Sequence, residues 1–275
     1  MQTQHLMTHS GRSAQPLTDL QLERYAPSIF ATQAYERMSA KYAFIPTIEV
    51  VRKLRAEGFE PVEAMQTEVR TEAKRGFTKH LIRFRDMRAN ALAEFGGLYP
   101  ELVWINSHDG ESSAELMAGL LRAICTNGMV IGDQLVEPVK VRHTGHADQI
   151  LEATFEVVEQ FPKVLDSVQS FHRLQLTAPE REAFGKAALD LKYDEGQAPL
   201  TPAQVIAPRR DEDREPTLWN VFNVAQERLV NGGDRYRNAH GRRQRTRGVK
   251  GIAENTRLNK ALWTLASEME KLKTA

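Results

Sequence analysis

The chain has 275 residues, 41% of them hydrophobic, which is enough for one large domain or two small ones with a buried core. No run approaches the ~20 apolar residues that cross a bilayer, and no charged segment followed by an apolar one opens the chain, so a soluble cytoplasmic protein is expected. A single cysteine, Cys125, excludes an internal disulfide and any multi-cysteine zinc site, and reads as a small packed residue.

Residues 1–15 are polar and aperiodic and predict a disordered N-terminus, with folding beginning near Pro16. In TIEVVRKLRAEG, Ile48, Val51 and Leu54 recur at helical spacing and Gly58 supplies a C-terminal cap. Two strand-like runs, PVEAMQTEVR and KHLIRFRDM, flank the polar segment around Lys74, Arg75 and Gly76 and predict a β-hairpin. In the second run, alternation sets Ile82 and Phe84 on one face and Lys79, Arg83 and Arg85 on the other. The first face is expected to pack and the second to stay cationic.

A third strand, Leu102–Ile105, is apolar on both faces and belongs inside a sheet. After it, NSHDGESS is expected to turn into a helix, because Ser112 and Glu115 have capping-box spacing and Leu116, Met117, Leu120, Leu121 and Ile124 form one stripe. Asn127-Gly128 would end that helix, and MVIGDQLVEPVKVRH reads as two short strands around a turn. Residues 16–145 therefore form an α+β core.

Residues 146–275 read as a helical region. Ile150, Val157, Phe161, Val164, Val168 and Phe171 trace a helical seam that Pro162 should kink or divide. A helix over Pro179–Lys192 leads to a Pro-rich, charged connector at 195–216, expected to be a mobile loop. Leu218, Phe222, Ala225 and Leu229 form a stripe that stops at Gly232-Gly233, and Leu258, Leu262, Leu265, Met269 and Leu272 form a heptad-like stripe at the end. The fold class is α+β.

Between those last two helices lies RYRNAHGRRQRTRGVK, with Arg235, Arg237, Arg242, Arg243, Arg245, Arg247 and Lys250 and no acidic residue. The whole chain carries a net charge of only +1, so these seven cations leave the rest at about −6 and basicity is local. Arginine forks suit phosphate and stack on bases, and Tyr236, between Arg235 and Arg237, is placed to stack on an unpaired base. The alternative is a solvated connector whose arginines pair with carboxylates elsewhere.

Catalytic motifs are missing: there is no Walker loop, dinucleotide glycine fingerprint or nucleophile elbow. Asn106, Ser107, His108, Asp109, Ser112 and Ser113 cluster where a strand is expected to meet a helix. Asn106, His108 and Ser112 are accordingly a phosphate-binding candidate at a helix start. An acid–base reading would need His108 to reach Ser112 or Ser113, which sequence neighbours seldom achieve; the simpler reading is an Asp109-Gly110 turn and a serine cap. His143 and His146 offer no third metal ligand at typical spacing. Trp219, Phe222 and Trp263 fall on apolar stripes and read as core. No catalytic residue, metal or cofactor is assigned.

Three blocks, NSHDGESSAELMAGLLRAICTNGMV, LWNVFNVAQERLVNGG and RTRGVKGIAENTRLNKALW, resemble the phage/plasmid-like proteins described as domain of unknown function 932, over about Pro16 to Leu272. The resemblance implies a bacterial mobile-element or prophage origin and brings no catalytic assignment. A hairpin with a cationic face, a third strand and then a helix is also similar in topology to single-strand-annealing recombinases. That likeness implies a groove lined by Lys79, Arg83 and Arg85, with the Arg235–Lys250 stretch as a second contact. The expected function is therefore a non-enzymatic DNA-binding accessory protein with single-stranded DNA as partner, acting as a binder or annealer and able to form a homo-oligomer. The alternatives are an assembly module answering an acidic partner, or an enzyme using the Asn106–Ser113 turn.

Overall fold

The computed structural model describes residues 9–39, 42–89, 97–141 and 148–274. They divide into two compact units, the first within 1–129, 136–161 and 250–252, the second within 130–135, 162–249 and 253–275. The architecture is α+β, with an antiparallel sheet in the N-terminal half and helices mostly in the C-terminal half.

In the first unit, β1 (His9–Arg12), β2 (Phe59–Gln66), β3 (His80–Asp86), β4 (Leu98–Asn106), β5 (Ala114–Arg122) and β6 (Asn127–Val130) lie in sheet order, and β7 (Val139–Val141) also pairs with β5. The predicted hairpin is present as β2 and β3. Residues 9–12, assigned to a disordered N-terminus, instead pair with β2 from His9 opposite Gln66 to Arg12 opposite Glu63. Alternation in β3 holds: Ile82 lies opposite Trp104, and Phe84 opposite Leu102, all fully buried.

The helix expected after Ser112 is strand β5. It pairs with β4 along its length, from Ala114 to Arg122, and the Asp109-Gly110 turn, with Gly110 at φ 75°, closes the hairpin. Leu116, Met117, Leu120 and Leu121 are buried on both faces of the sheet, so the period-two signal is lost and the spacing mimics a helical stripe. The helix-bearing topology that suggested annealing recombinases is therefore not present.

Helices α1 (Asp19–Tyr25) and α2 (Thr47–Ala56) pack against β2, and α3 (Asp148–Val158) against β4, β5 and β7. Leu22, Val50, Val51 and Leu54 bury the helices' apolar side. The sheet itself curls: Arg12 on edge strand β1 donates from Nη1 to the Thr126 carbonyl beside β6, at 2.5 Å. That curl turns one sheet face inward.

In the second unit, α4 (Phe161–Arg173), α5 (Ala178–Asp190), α6 (Pro202–Val205), α7 (Leu218–Asn231) and α8 (Ile252–Thr274) enclose an aromatic core. Phe171 and Phe222 each lie 5.6 Å from Trp263 between ring centroids, and Trp219 lies 5.9 Å from Phe222. All four are buried, as their apolar stripes require. The seam divides where Pro162 predicts, between α3 and α4. No helix among the described residues is long and apolar enough to cross a membrane.

Candidate nucleic-acid interface

Helix α7 is buried along nearly its whole length, and it ends at Gly232, whose backbone at φ 67° and ψ −147° is open only to glycine. The chain then forms a two-stranded hairpin, β8 (Arg235–Arg237) and β9 (Arg243–Arg245). Its turn is local: Asn238 Oδ1 accepts from the backbone N–H groups of His240 and Arg242, each at 3.0 Å, and Gly241 takes φ 72°.

Arg235 pairs with Arg245, Tyr236 with Gln244 and Arg237 with Arg243. Period-two alternation therefore puts four arginines on one face and Tyr236 with Gln244 on the other. All four are exposed, and among the described residues none has a carboxylate partner. Arg237 donates only to the Gly241 carbonyl, at 2.9 Å. Arg242 and Arg247 are exposed as well and extend the positive surface, and Lys250, in the first unit, is exposed.

Asp234, the residue before β8, is already engaged. Arg209 Nη2 lies 2.8 Å from both Asp234 oxygens, and Arg228 also binds Asp234. Asp234 N–H donates to Thr246 Oγ1 at 3.0 Å, and Thr246 N–H to the Asp234 carbonyl at 2.8 Å, which pins both ends of the hairpin together. The 195–216 connector, expected to be mobile, is thus tied down by Arg209 and by Arg210, whose Nη1 lies 2.6 Å from Glu227 Oε2. Buried Val205 and Asp213 hold its short helix α6 and a 3₁₀ turn, Asp211–Asp213. Burial pushes the Glu227 carboxyl up, but Arg210 and Arg209 outweigh that and hold it below the usual range.

The other predicted residues are placed differently. Arg83 and Arg85, assigned to a cationic groove, are buried in the inward face of the curled sheet. Arg83 Nε lies 3.1 Å from Glu63 and Arg85 Nη2 2.6 Å from Glu101. Gly119, directly opposite Glu101, leaves the space Arg83 fills, because a Cβ there would lie 3.0 Å from Arg83 Nη1. Arg85 also lies over the Tyr99 ring at 4.2 Å. These two arginines are structural, and Lys79, half-buried before β3, remains the only one of that trio with solvent access.

Asn106 and His108 are fully buried and no helix begins at Ser112, so the anion site expected there loses its dipole and its access. His108 Nε2 faces Thr47 Oγ1 at 3.4 Å, while the Ser112 and Ser113 hydroxyls donate to the Ser113 carbonyl and to Glu115. Sequence reasoning missed His80, whose Nδ1 lies 2.8 Å from Ser28 Oγ and Nε2 2.8 Å from Thr47 Oγ1. Burial, then the neighbouring His108, pushes its pKa down to about 3, so it is a neutral core histidine. His143 and His146 lie outside the described residues. Among those described, no cluster of histidine, cysteine and acids is arranged to hold a metal ion.

Comparison with known proteins adds a family and two relatives. Residues 34–263 match the family model described as domain of unknown function (DUF932). Two Escherichia coli (strain K12) proteins, UPF0380 protein YafZ and UPF0380 protein YfjQ, are each 39% identical to this chain over 259 residues, covering 94% of it and 93% of theirs. No solved structure matches.

Proposed function

For a chain that belongs to the DUF932 family, matching across residues 34–263, we propose single-stranded DNA binding through the β8–β9 hairpin. The observation that carries this reading is the exposed arginine face, four side chains brought together by strand register with no carboxylate partner among the described residues. Arginine binds phosphate through paired N–H donors, and each phosphate neutralised releases counterions. Asp234, next to the hairpin in sequence, is engaged by Arg209 and Arg228 and so does not compete for these arginines.

A single strand suits this surface because Tyr236, on the opposite face, offers a ring that a base inside a duplex does not reach. The role is a binder acting without metal or cofactor. Annealing lacks its topological support, and the mobile-element origin implied by the sequence blocks is part of the proposal.

Replacing Arg242, Arg243, Arg245 and Arg247 together with alanine tests it. Binding should weaken, and the slope of log K against log salt should flatten by up to about 3, at roughly 0.7 per single-strand phosphate contact. Circular dichroism should be unchanged, since all four side chains are exposed. Wild-type affinity and slope in the variant would contradict the proposal.

A further inference from the structure

The second face of the hairpin does not lie against bare solvent. Tyr236 and Gln244 form one wall of a groove of about 450 Å³ whose other wall is Tyr193 and Pro199, just beyond the end of α5, with Arg245 and Arg247 also lining it. That volume falls within the range of small-ligand sites. Lys192 ties the walls together, because its Nζ donates to the Leu229 carbonyl at 2.6 Å and to the Arg247 carbonyl at 2.8 Å.

We infer that this groove is a stacking site for one unpaired nucleobase, with Tyr236 and Tyr193 supplying the aromatic surfaces and Gln244 reading the base edge. The inference rests on the single-strand reading of the same hairpin and names the part of the ligand that its arginine face does not bind. Three features argue for a base in particular. Two tyrosines line a single groove, and planar rings are the surfaces on which bases stack. Tyr236 O–H donates to Gln244 Oε1 at 2.6 Å, which fixes the amide and leaves its nitrogen a donor with no protein acceptor among the described residues. Arg245 belongs to both the groove and the arginine face, so a base in the groove has a phosphate-binding side chain beside it. Burial, together with nearby Tyr236 and Asp234, raises the Tyr193 pKa above its ordinary value.

The test compares three strands of equal length at one salt concentration: oligothymidylate, oligouridylate and an abasic deoxyribose-phosphate chain. Base-bearing strands should bind about 5- to 100-fold tighter than the abasic one, the range that loss of one or more aromatic stacks produces. Tyr236→Leu should erase that difference and leave abasic binding within about twofold, and Tyr236→Phe should restore it. Tyr193→Leu, on the opposite wall, should act like Tyr236→Leu. A preference for thymidylate or uridylate over the other, both above the abasic chain, supports the site and shows which of the two nucleotides, differing in sugar and in the C5-methyl group, it accepts. Equal binding of all three strands by the wild type overturns the stacking site but leaves phosphate binding standing. Binding to none of them overturns both.

Discussion

Arg235 lies directly opposite Arg245 in the β8–β9 ladder, and neither has an acidic partner among the described residues. Like charges in that position destabilise a strand pair, so the hairpin keeps its arginines at the expense of its own stability. What holds it is the clasp at its base, Asp234 with Arg209, Arg228 and Thr246.

A charge reversal separates these two roles. Arg245→Glu would give Arg235 and its neighbours an opposite charge and should stabilise the free hairpin by roughly 0.2–1 kcal/mol. The same change should weaken single-strand binding at least tenfold, because it removes one cation and adds a repulsive anion. Hydrogen exchange of the hairpin amides and an anisotropy titration read the two effects, which should have opposite signs.

Gly232 is the backbone position on which the hairpin turns away from α7. Its φ of 67° with ψ −147° excludes side chains, and a Cβ would lie 2.6 Å from the Gly248 nitrogen. Gly232→Ala should destabilise the second unit by about 1–3 kcal/mol or more, measured as a shift in the chemical denaturation midpoint. Gly233→Ala, with φ 88° but open space around its Cβ, should cost less.

The inward-facing ion pairs of the first unit respond differently from pairs at the surface. Glu101, nearly fully buried, bonds Arg85 at 2.6 Å and approaches Arg83 at 3.5 Å. Glu101→Gln takes the carboxylate from buried Arg85 and leaves Arg83 with Glu63, and should cost about 3–5 kcal/mol. Glu254→Gln, which breaks an exposed pair with Arg257, should change stability by about 1 kcal/mol or less.

His80 gives the first unit an acid limb. Its pKa, about 3 when folded against 6.5 when free, means the unfolded chain takes up a proton that the folded one refuses. This contribution to stability is complete above pH 6.5 and is lost as pH falls from 6.5 toward 3, with a slope approaching 1.4 kcal/mol per pH unit. Between pH 7 and pH 5 the loss should be about 2 kcal/mol, and His80→Gln should flatten the dependence when urea unfolding is repeated at both values.

The longer helices of the second unit were legible in the sequence because apolar residues such as Val164, Val168 and Phe171 in α4, or Leu218, Phe222 and Leu229 in α7, recur at the period of a helix, whereas the short α6 lies in the stretch read as a loop. Strand β5 was not, because a strand covered on both faces has no alternation and its spacing matches a helix equally well. Gly119 in mid-run was the available warning. Arg83 and Arg85 alternate as read, but whether a charged face points outward depends on the curl of the whole sheet, which no local window contains. The arginine stretch stood out as charge. Its register, and the approach of Tyr193 to Tyr236, are tertiary facts.

The most direct test is fluorescence anisotropy of the purified protein with labelled single-stranded and double-stranded DNA across a salt series. The account predicts tighter binding to the single strand, weakening as salt rises with a slope set by several phosphate contacts. No binding to either form at low salt would contradict it and leave the arginine face to a partner other than nucleic acid.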